Sequence, residues 1–312
     1  MKEGYIKRKD RKKILLITDD IRVHSGVAQV GREIILNTLH KYNWVQIAGA
    51  VDHPEIGKII SMNDQLKKEK LTDVEDPYVM LYPAKGYGDM DLLRVVLQRE
   101  KPDALFLITD PRYFSWLFNN EEQIRKKIPI IYLNIWDNYP APMYNKEYYQ
   151  SCDLLLGISK QTVNINKLVL GNEGKNKIFK YVPHGLNDKV FGIMEEDIPE
   201  LIRFRKNIGV SDDCNFHLLY NSRNIRRKQV SNIIMAFRLF TDQLPPEEAK
   251  KCQLTLKTER IFDAGTDLLA VIDYMCPPET CKVGLLDHKL TSQEMNLLYN
   301  SADGVVQLSN AE

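Results

Sequence analysis

No apolar run in the sequence approaches the roughly 18 residues that a membrane-spanning helix needs. The amino terminus carries lysines and arginines where a secretory signal would carry an apolar core. Export is therefore not expected, and the cytoplasm is the expected location. Cysteine is scarce: Cys152, Cys214, Cys252, Cys276 and Cys281 are an odd, scattered set that reads as reduced thiols rather than a disulfide framework. Cys276 and Cys281 lie close together, but no second Cys/His pair at ligand spacing joins them, so no metal is expected. An excess of one charge is missing too. Lys and Arg total 43 against 42 Asp and Glu, so the whole-chain field singles out no nucleic-acid partner. A Gly-rich P-loop, a Gly-x-Ser-x-Gly elbow and a His-Glu-x-x-His zinc signature are all absent.

What is present is an alternation of short apolar runs with helical periodicity. Residues 12–18 (KKILLIT) read as a strand, and residues 26–39 place Val27, Val30, Ile34, Ile35 and Leu39 at helical spacing. Strands follow at 44–51, 78–82, 103–108, 129–135 and 153–158, with a helix at 90–100. Continuous apolar runs mark strands buried on both faces, and the intervening helices supply the crossovers that parallel pairing requires. The alternation restarts with strands at 217–220, 253–258, 282–286 and 305–308 and helices at 229–239 and 292–299. At 312 residues the chain is long enough for two domains. The expected organisation is a first α/β domain over 1–190, a connector over 191–213 with one helix, and a second, smaller α/β domain over 214–312.

In open parallel sheets, ligands bind beyond the carboxyl ends of the strands, so the loops there are the candidate sites. The first, Asp19 to Ala28, delivers Gly26 to a helix start beside His24, where backbone amides and the helix dipole favour an anion; alternatively Gly26 serves only a tight turn. The second, Asn221 to Lys228, gathers Arg223, Arg226, Arg227 and Lys228 before a helix and is a candidate diphosphate site. The third carries His184 and Gly185 after a strand. The fourth, Asn134 to Pro142, presents Asp137 either to an acceptor hydroxyl or as a helix cap. Asp89-Met90-Asp91 mimics a metal-binding Asp-x-Asp, but it opens an amphipathic helix and reads as a cap. The run Lys7 to Lys13 reads as a solvated basic tail before the first strand.

Taken in order, these segments resemble the retaining family 4 glycosyltransferases. Residues 13–20 with His24-Ser25-Gly26-Val27-Ala28 are similar to the family's first strand and glycine loop. Gly157-Ile158-Ser159-Lys160 is similar to its strand-to-serine step, and Pro183-His184-Gly185-Leu186-Asn187 with Phe191 to its His-Gly-Val-Asp…Phe element, with Asn187 in place of the acid. Arg223 and Lys228 match its Arg…Lys pair, with Gln229 where a glycine normally follows. Residues 294–303 and 306–312 look like the approach to its paired-glutamate motif, whose first glutamate is Glu312. The resemblance implies an α/β fold of the GT-B type, two Rossmann-like doubly wound domains facing a cleft, with the second domain incomplete. It implies transfer of a hexosyl unit from a UDP- or GDP-sugar with retention and without metal or other cofactor. Arg223, Lys228, Gly26, Ser159, His184 and Gly185 would then hold the donor, with Asp137, His24 and Glu312 as the catalytic group.

Three other readings compete at this level. A sugar-nucleotide epimerase or a phosphorylase uses the same fold, although no lysine context suits a pyridoxal cofactor. A truncated or non-catalytic module would bind a nucleotide or a partner without turnover. Finally, the acceptor, unspecified by the sequence among glycans, lipid-linked and small molecules, could be a modified nucleic acid, for which the basic run Lys7 to Lys13 is the single local hint.

Overall fold

The computed structural model describes residues 4–52, 54–277 and 280–310. The chain divides between Gly185 and Leu186 into two compact units. The first holds strands β1 (Lys12–Asp19), β2 (Tyr42–Gly49), β3 (Ile60–Ser61), β4 (Val79–Pro83), β5 (Ala104–Ile108), β6 (Ile130–Asn134), β7 (Leu154–Gly157) and β8 (Ile178–Tyr181). They form one sheet in the order β3-β4-β2-β1-β5-β6-β7-β8. All pairs are parallel except β3 with β4.

The apolar runs form this sheet because both of its faces are covered. Along β1, Leu15 and Ile17 join one buried cluster with Val45, Ile47, Leu105 and Leu107. Leu16, between them, joins another with Trp44, Leu81 and Phe106. The helix Gly26–Thr38 adds Ile35 to the second cluster, and the helix Met90–Glu100 adds Leu93 and Val96 to the first, so the two helices lie on opposite faces. Each fully buried aliphatic side chain of this kind contributes about 1.5–3 kcal/mol. Asp89 caps the second helix, accepting from the Leu92 amide at 2.9 Å.

The second unit holds β9 (Phe216–Asn221), β10 (Cys252–Lys257), β11 (Lys282–Leu286) and β12 (Gly304–Val305), all parallel, in the order β11-β10-β9-β12. The helix Val230–Thr241 packs Ile233, Ile234 and Phe237 against Tyr220, Leu254 and Leu256. On the other face Leu219 and Leu286 meet Leu297 and Leu298. The segment read as a connector contributes there as well: its helix Pro199–Asn207 buries Leu201 and Phe204 in that same cluster. The last strand is shorter than expected, two residues rather than four.

The basic run is solvated as expected at Lys7, Arg8, Lys9 and Lys12, but it is not a loose tail. Residues Arg8–Asp10 form a helical turn, and the Arg11 side chain is fully buried, its Nη2 2.5 Å from Asp76 Oδ1. The burial of Arg11 has a non-local cause, since its partner carboxylate arrives from 65 residues away. Among the described residues no helix is long and apolar enough to cross a membrane. None of the five cysteines is bridged.

Candidate active site

In the first unit β1, β6, β7 and β8 run parallel, so the segments that follow them leave from one edge of the sheet. The strand order reverses between β1 and β5, the point at which such sheets open a crevice. After β1, Ser25 is the N-cap of the helix Gly26–Thr38. Its hydroxyl accepts from the Ala28 amide at 2.9 Å and donates to Asp19 Oδ2 at 2.5 Å. Asp19 is buried and also accepts from the Tyr87 hydroxyl at 2.7 Å. Burial, and then the bond to Asp19, push the Tyr87 phenol well above its ordinary pKa.

Gly26 is exposed and has no left-handed backbone, so no tight turn requires it. A Cβ there would meet nothing within 4 Å, which leaves open space over the first turn of the helix. Neighbouring His24 is exposed. His184 and Gly185 lie against the same helix: with Gln29, Val30, Glu33, Ile34 and Leu133 they line a cavity of about 110 Å³. What burial His184 has lowers its imidazole pKa. Two loops read separately in the sequence thus converge on one helix.

Ser159 and Asp137 converge in a second pair. Ser159 caps the helix Lys160–Leu170, its Oγ accepting from the Thr162 amide at 2.9 Å, and Gln161 of that helix donates to the Asp137 carbonyl at 2.7 Å. Gly157 permits this approach, because a Cβ there would stand 2.8 Å from Val163 Cγ2 and 2.9 Å from its amide nitrogen. Asp137 is half-buried and caps no helix, the next helical turn beginning at Met143 after Pro142. Behind it, Asn134 donates to Tyr149 Oη at 2.8 Å and to Asn166 Oδ1 at 2.5 Å, and its own Oδ1 takes the Trp136 amide at 2.9 Å.

In the second unit the loop after β9 carries the basic residues. Arg223 stands 64% exposed, its guanidinium 4.9 Å from the centre of the Phe262 ring and its Nε 3.8 Å from Glu259 Oε1. Lys228, in contrast, is buried. It closes a helical turn, Arg226–Lys228, and Gln229 then takes the left-handed conformation at φ 56°, ψ 35° before the helix Val230–Thr241. Arg226 and Arg227 are exposed. Glu312 lies outside the described residues.

Sequence reasoning missed what holds this loop. Asn224 is 1% exposed, donates to the Thr266 carbonyl at 2.6 Å, and accepts from the Thr266 amide at 3.2 Å. Its own amide donates to Glu259 Oε2 at 3.0 Å. Gly265 is obligatory beside it, since a Cβ there would fall 2.0 Å from the Asn224 carbonyl oxygen. Burial raises the pKa of Glu259, but the Asn224 amide and the Arg223 charge outweigh it and hold that pKa below the ordinary value. In the first unit the missed residues are Tyr87 and Thr109, the latter at the β5 exit with φ 114°, a conformation that L-residues rarely adopt, while Asp19 was named only as the start of its loop. The Asp110-Pro111 pair following it was a readable turn signal.

Among the described residues no group of three or more His, Cys, Asp or Glu side chains could hold a metal ion.

The two doubly wound parallel-sheet units define an α/β fold of the GT-B type, in which the second unit is the smaller. Solved structures with this fold include the trehalose-6-phosphate synthase OtsA, at 11% identity and a TM-score of 0.62 over 96% of this chain and 78% of that one. A structure described as trehalose-6-phosphate from E. coli bound with UDP-2-fluoro glucose is 12% identical, with a TM-score of 0.62 over the same shares, 96% and 78%. A UDP-forming α,α-trehalose-phosphate synthase from Burkholderia xenovorans in complex with glucose-6-phosphate is 12% identical, with a TM-score of 0.61 over 94% of this chain and 78% of that one. At these identities the likeness is one of fold. No family model matches the chain, and no curated protein matches it.

Proposed function

We propose that this chain is a glycosyltransferase that moves a hexosyl unit from a UDP- or GDP-sugar to an acceptor with retention and without metal, in the manner of the family 4 enzymes. The observation that carries this reading is the β9 exit loop. It presents an exposed arginine steadied by an aromatic ring and a carboxylate, and it is locked in place by a buried asparagine. Neighbours of the same fold bound with UDP-2-fluoro glucose and with glucose-6-phosphate favour UDP-glucose as donor and a sugar phosphate as acceptor.

In this mechanism Arg223 and Lys228 neutralise the charge that grows on the departing diphosphate. Electrostatic stabilisation of that kind is usually the largest catalytic contribution, and one preorganised contact is worth about 3 kcal/mol. The bond between the sugar C1 and the phosphate oxygen breaks. The acceptor oxygen bonds to C1 from the same face, and its proton passes to the leaving phosphate oxygen. Within the first unit, the open space over Gly26 suits an anion, Ser159, His184 and Gly185 belong to the loops that the resemblance assigns to donor binding, and Asp137 and His24 to those it assigns to the acceptor; Glu312 is its counterpart for the donor sugar. The nucleic-acid acceptor loses its one hint: the residues of the basic run lie at the amino-terminal ends of the strands, opposite the edge from which the candidate loops leave.

The test is UDP release from UDP-glucose with and without glucose 6-phosphate, in the wild type and in Arg223→Ala. Release that depends on acceptor and falls about 100-fold in the variant, with an unchanged melting temperature, supports transfer. Release without acceptor, or near-normal turnover in Arg223→Ala, refutes it.

A further inference from the structure

The amino-terminal edge of the first sheet carries an open, shallow depression of about 850 Å³. It is built from the starts of β1, β2, β4 and β5 and from the end of the helix Met90–Glu100, so it lies on the edge opposite the candidate loops. Six cationic residues line it against three carboxylates. The carboxylates are already engaged. Asp76 takes Arg11 Nη2 and the Tyr5 hydroxyl, Glu100 takes Lys13 and the Tyr78 and Tyr82 hydroxyls, and Asp103 takes Lys12. Among the described residues Lys7, Lys9 and Lys101 make no ion pair, and the Arg8 guanidinium stands 4.6 Å from the centre of the Tyr78 ring.

Two details point to a ligand rather than to solvated charge. Asn43 is 8% exposed and lines the depression; its Nδ2 donates to the Arg8 carbonyl, but its Oδ1 is buried with no partner. An acceptor buried without a partner is unfavourable, and a ligand hydroxyl would satisfy it. Lys101 sits at φ 50°, ψ 58° at the end of its helix, where glycine is the ordinary residue and a side chain is strained. A lysine at that strained position puts its charge on the depression.

We propose that this depression is a second binding site, independent of the reading above, that takes a small phosphorylated polyol. Lys7, Lys9, Lys101 and Arg8 hold the phosphate, while Asn43 Oδ1 and the outer lone pairs of the carboxylates accept from hydroxyls. The carboxylates oppose an extended polyanion such as nucleic acid, whose successive phosphates would be driven against them.

Titration calorimetry on the full chain tests this, with ribose 5-phosphate as the probe and ribose as the uncharged control. The expected result is binding of ribose 5-phosphate and not of ribose, weakened about ten-fold or more in Lys9→Ala/Lys101→Gly and unchanged in Arg223→Ala. Both substituted lysines are at the surface and glycine suits the backbone at 101, so the double variant keeps its fold, and an unaltered melting curve checks that. Equal affinity in the double variant, equal loss in Arg223→Ala, or no binding at millimolar concentration overturns the proposal. Co-sedimentation with vesicles containing phosphatidylinositol 4-phosphate, without heat from the soluble probe, moves the same chemistry to a lipid headgroup and overturns the free-metabolite form.

Discussion

Ser25 Oγ donates to the buried carboxylate of Asp19 at 2.5 Å while accepting from the Ala28 amide at 2.9 Å. One hydroxyl thus fixes the end of β1 to the start of the following helix. Ser25→Ala removes the cap and one of the donors to Asp19. The expected cost is about 1–3 kcal/mol, read as a lower urea midpoint with an unchanged slope. Ser25→Thr, which keeps the hydroxyl, should recover most of it. Equal stability of Ser25→Ala and the wild type would sink the assignment.

Gln229 holds the left-handed conformation between the basic turn and its helix. A non-glycine residue there costs roughly 1–2 kcal/mol relative to an unstrained backbone. Gln229→Gly is therefore expected to melt at or above the wild-type temperature. Gln229→Val should melt lower, since β-branched side chains tolerate this region worst. The two variants keep the same cations, so a shift of donor affinity between them reports the geometry of the turn. The reverse order of melting temperatures rules out the strain.

The central strands and helix starts were legible because their causes are local. Continuous apolar runs such as residues 104–108 are what burial on both faces demands, and Ser25 and Asp89 stand one residue before amphipathic helices. What was not legible depends on partners far along the chain. Arg11 is drawn out of solvent by Asp76, and the basic loop is locked by Asn224 reaching Thr266, 42 residues on. Edge strand β3, two residues long, carries too little pattern to announce itself. Gln229 runs against its own backbone preference, so no propensity argument would place it in a left-handed turn. The candidate residues were found as types at strand exits; which of them converge followed from packing, as with His184 against the helix that Gly26 opens.

Glu100 supplies a pH dependence. It is 5% exposed and accepts from Tyr78 and Tyr82, each at 2.7 Å, and from Lys13 at 2.9 Å. Burial opposes its ionisation, but the two phenols and the ammonium outweigh burial and hold its pKa below the ordinary glutamate value. A depressed folded-state pKa means stability present above the unfolded-state value of about 4.3 and lost as pH falls through the folded-state one. Glu100→Gln should therefore lose about 1–3 kcal/mol at neutral pH and show a flatter decline of the urea midpoint below pH 5. An acid decline as steep as that of the wild type would assign the effect to other carboxylates.

Gly265 tests whether the lock on the basic loop matters for ligand as well as fold. A Cβ at this position would lie 2.0 Å from the Asn224 carbonyl oxygen and 2.5 Å from its side-chain oxygen, and neither neighbour is a flexible tip that can swing away. In Gly265→Ala the loop from Arg223 to Lys228 must therefore shift, because the Asn224 bonds to Thr266 and Glu259 cannot be kept. The expected result is a stability loss of about 1–3 kcal/mol and a UDP-glucose affinity weakened about ten-fold or more, with every cation still present. Asn224→Ala should weaken binding in the same direction without adding bulk, which separates loss of the lock from steric displacement. Unchanged affinity in both variants would mean that the loop holds its shape without the lock, and Asn224 would then be a contributor to stability alone.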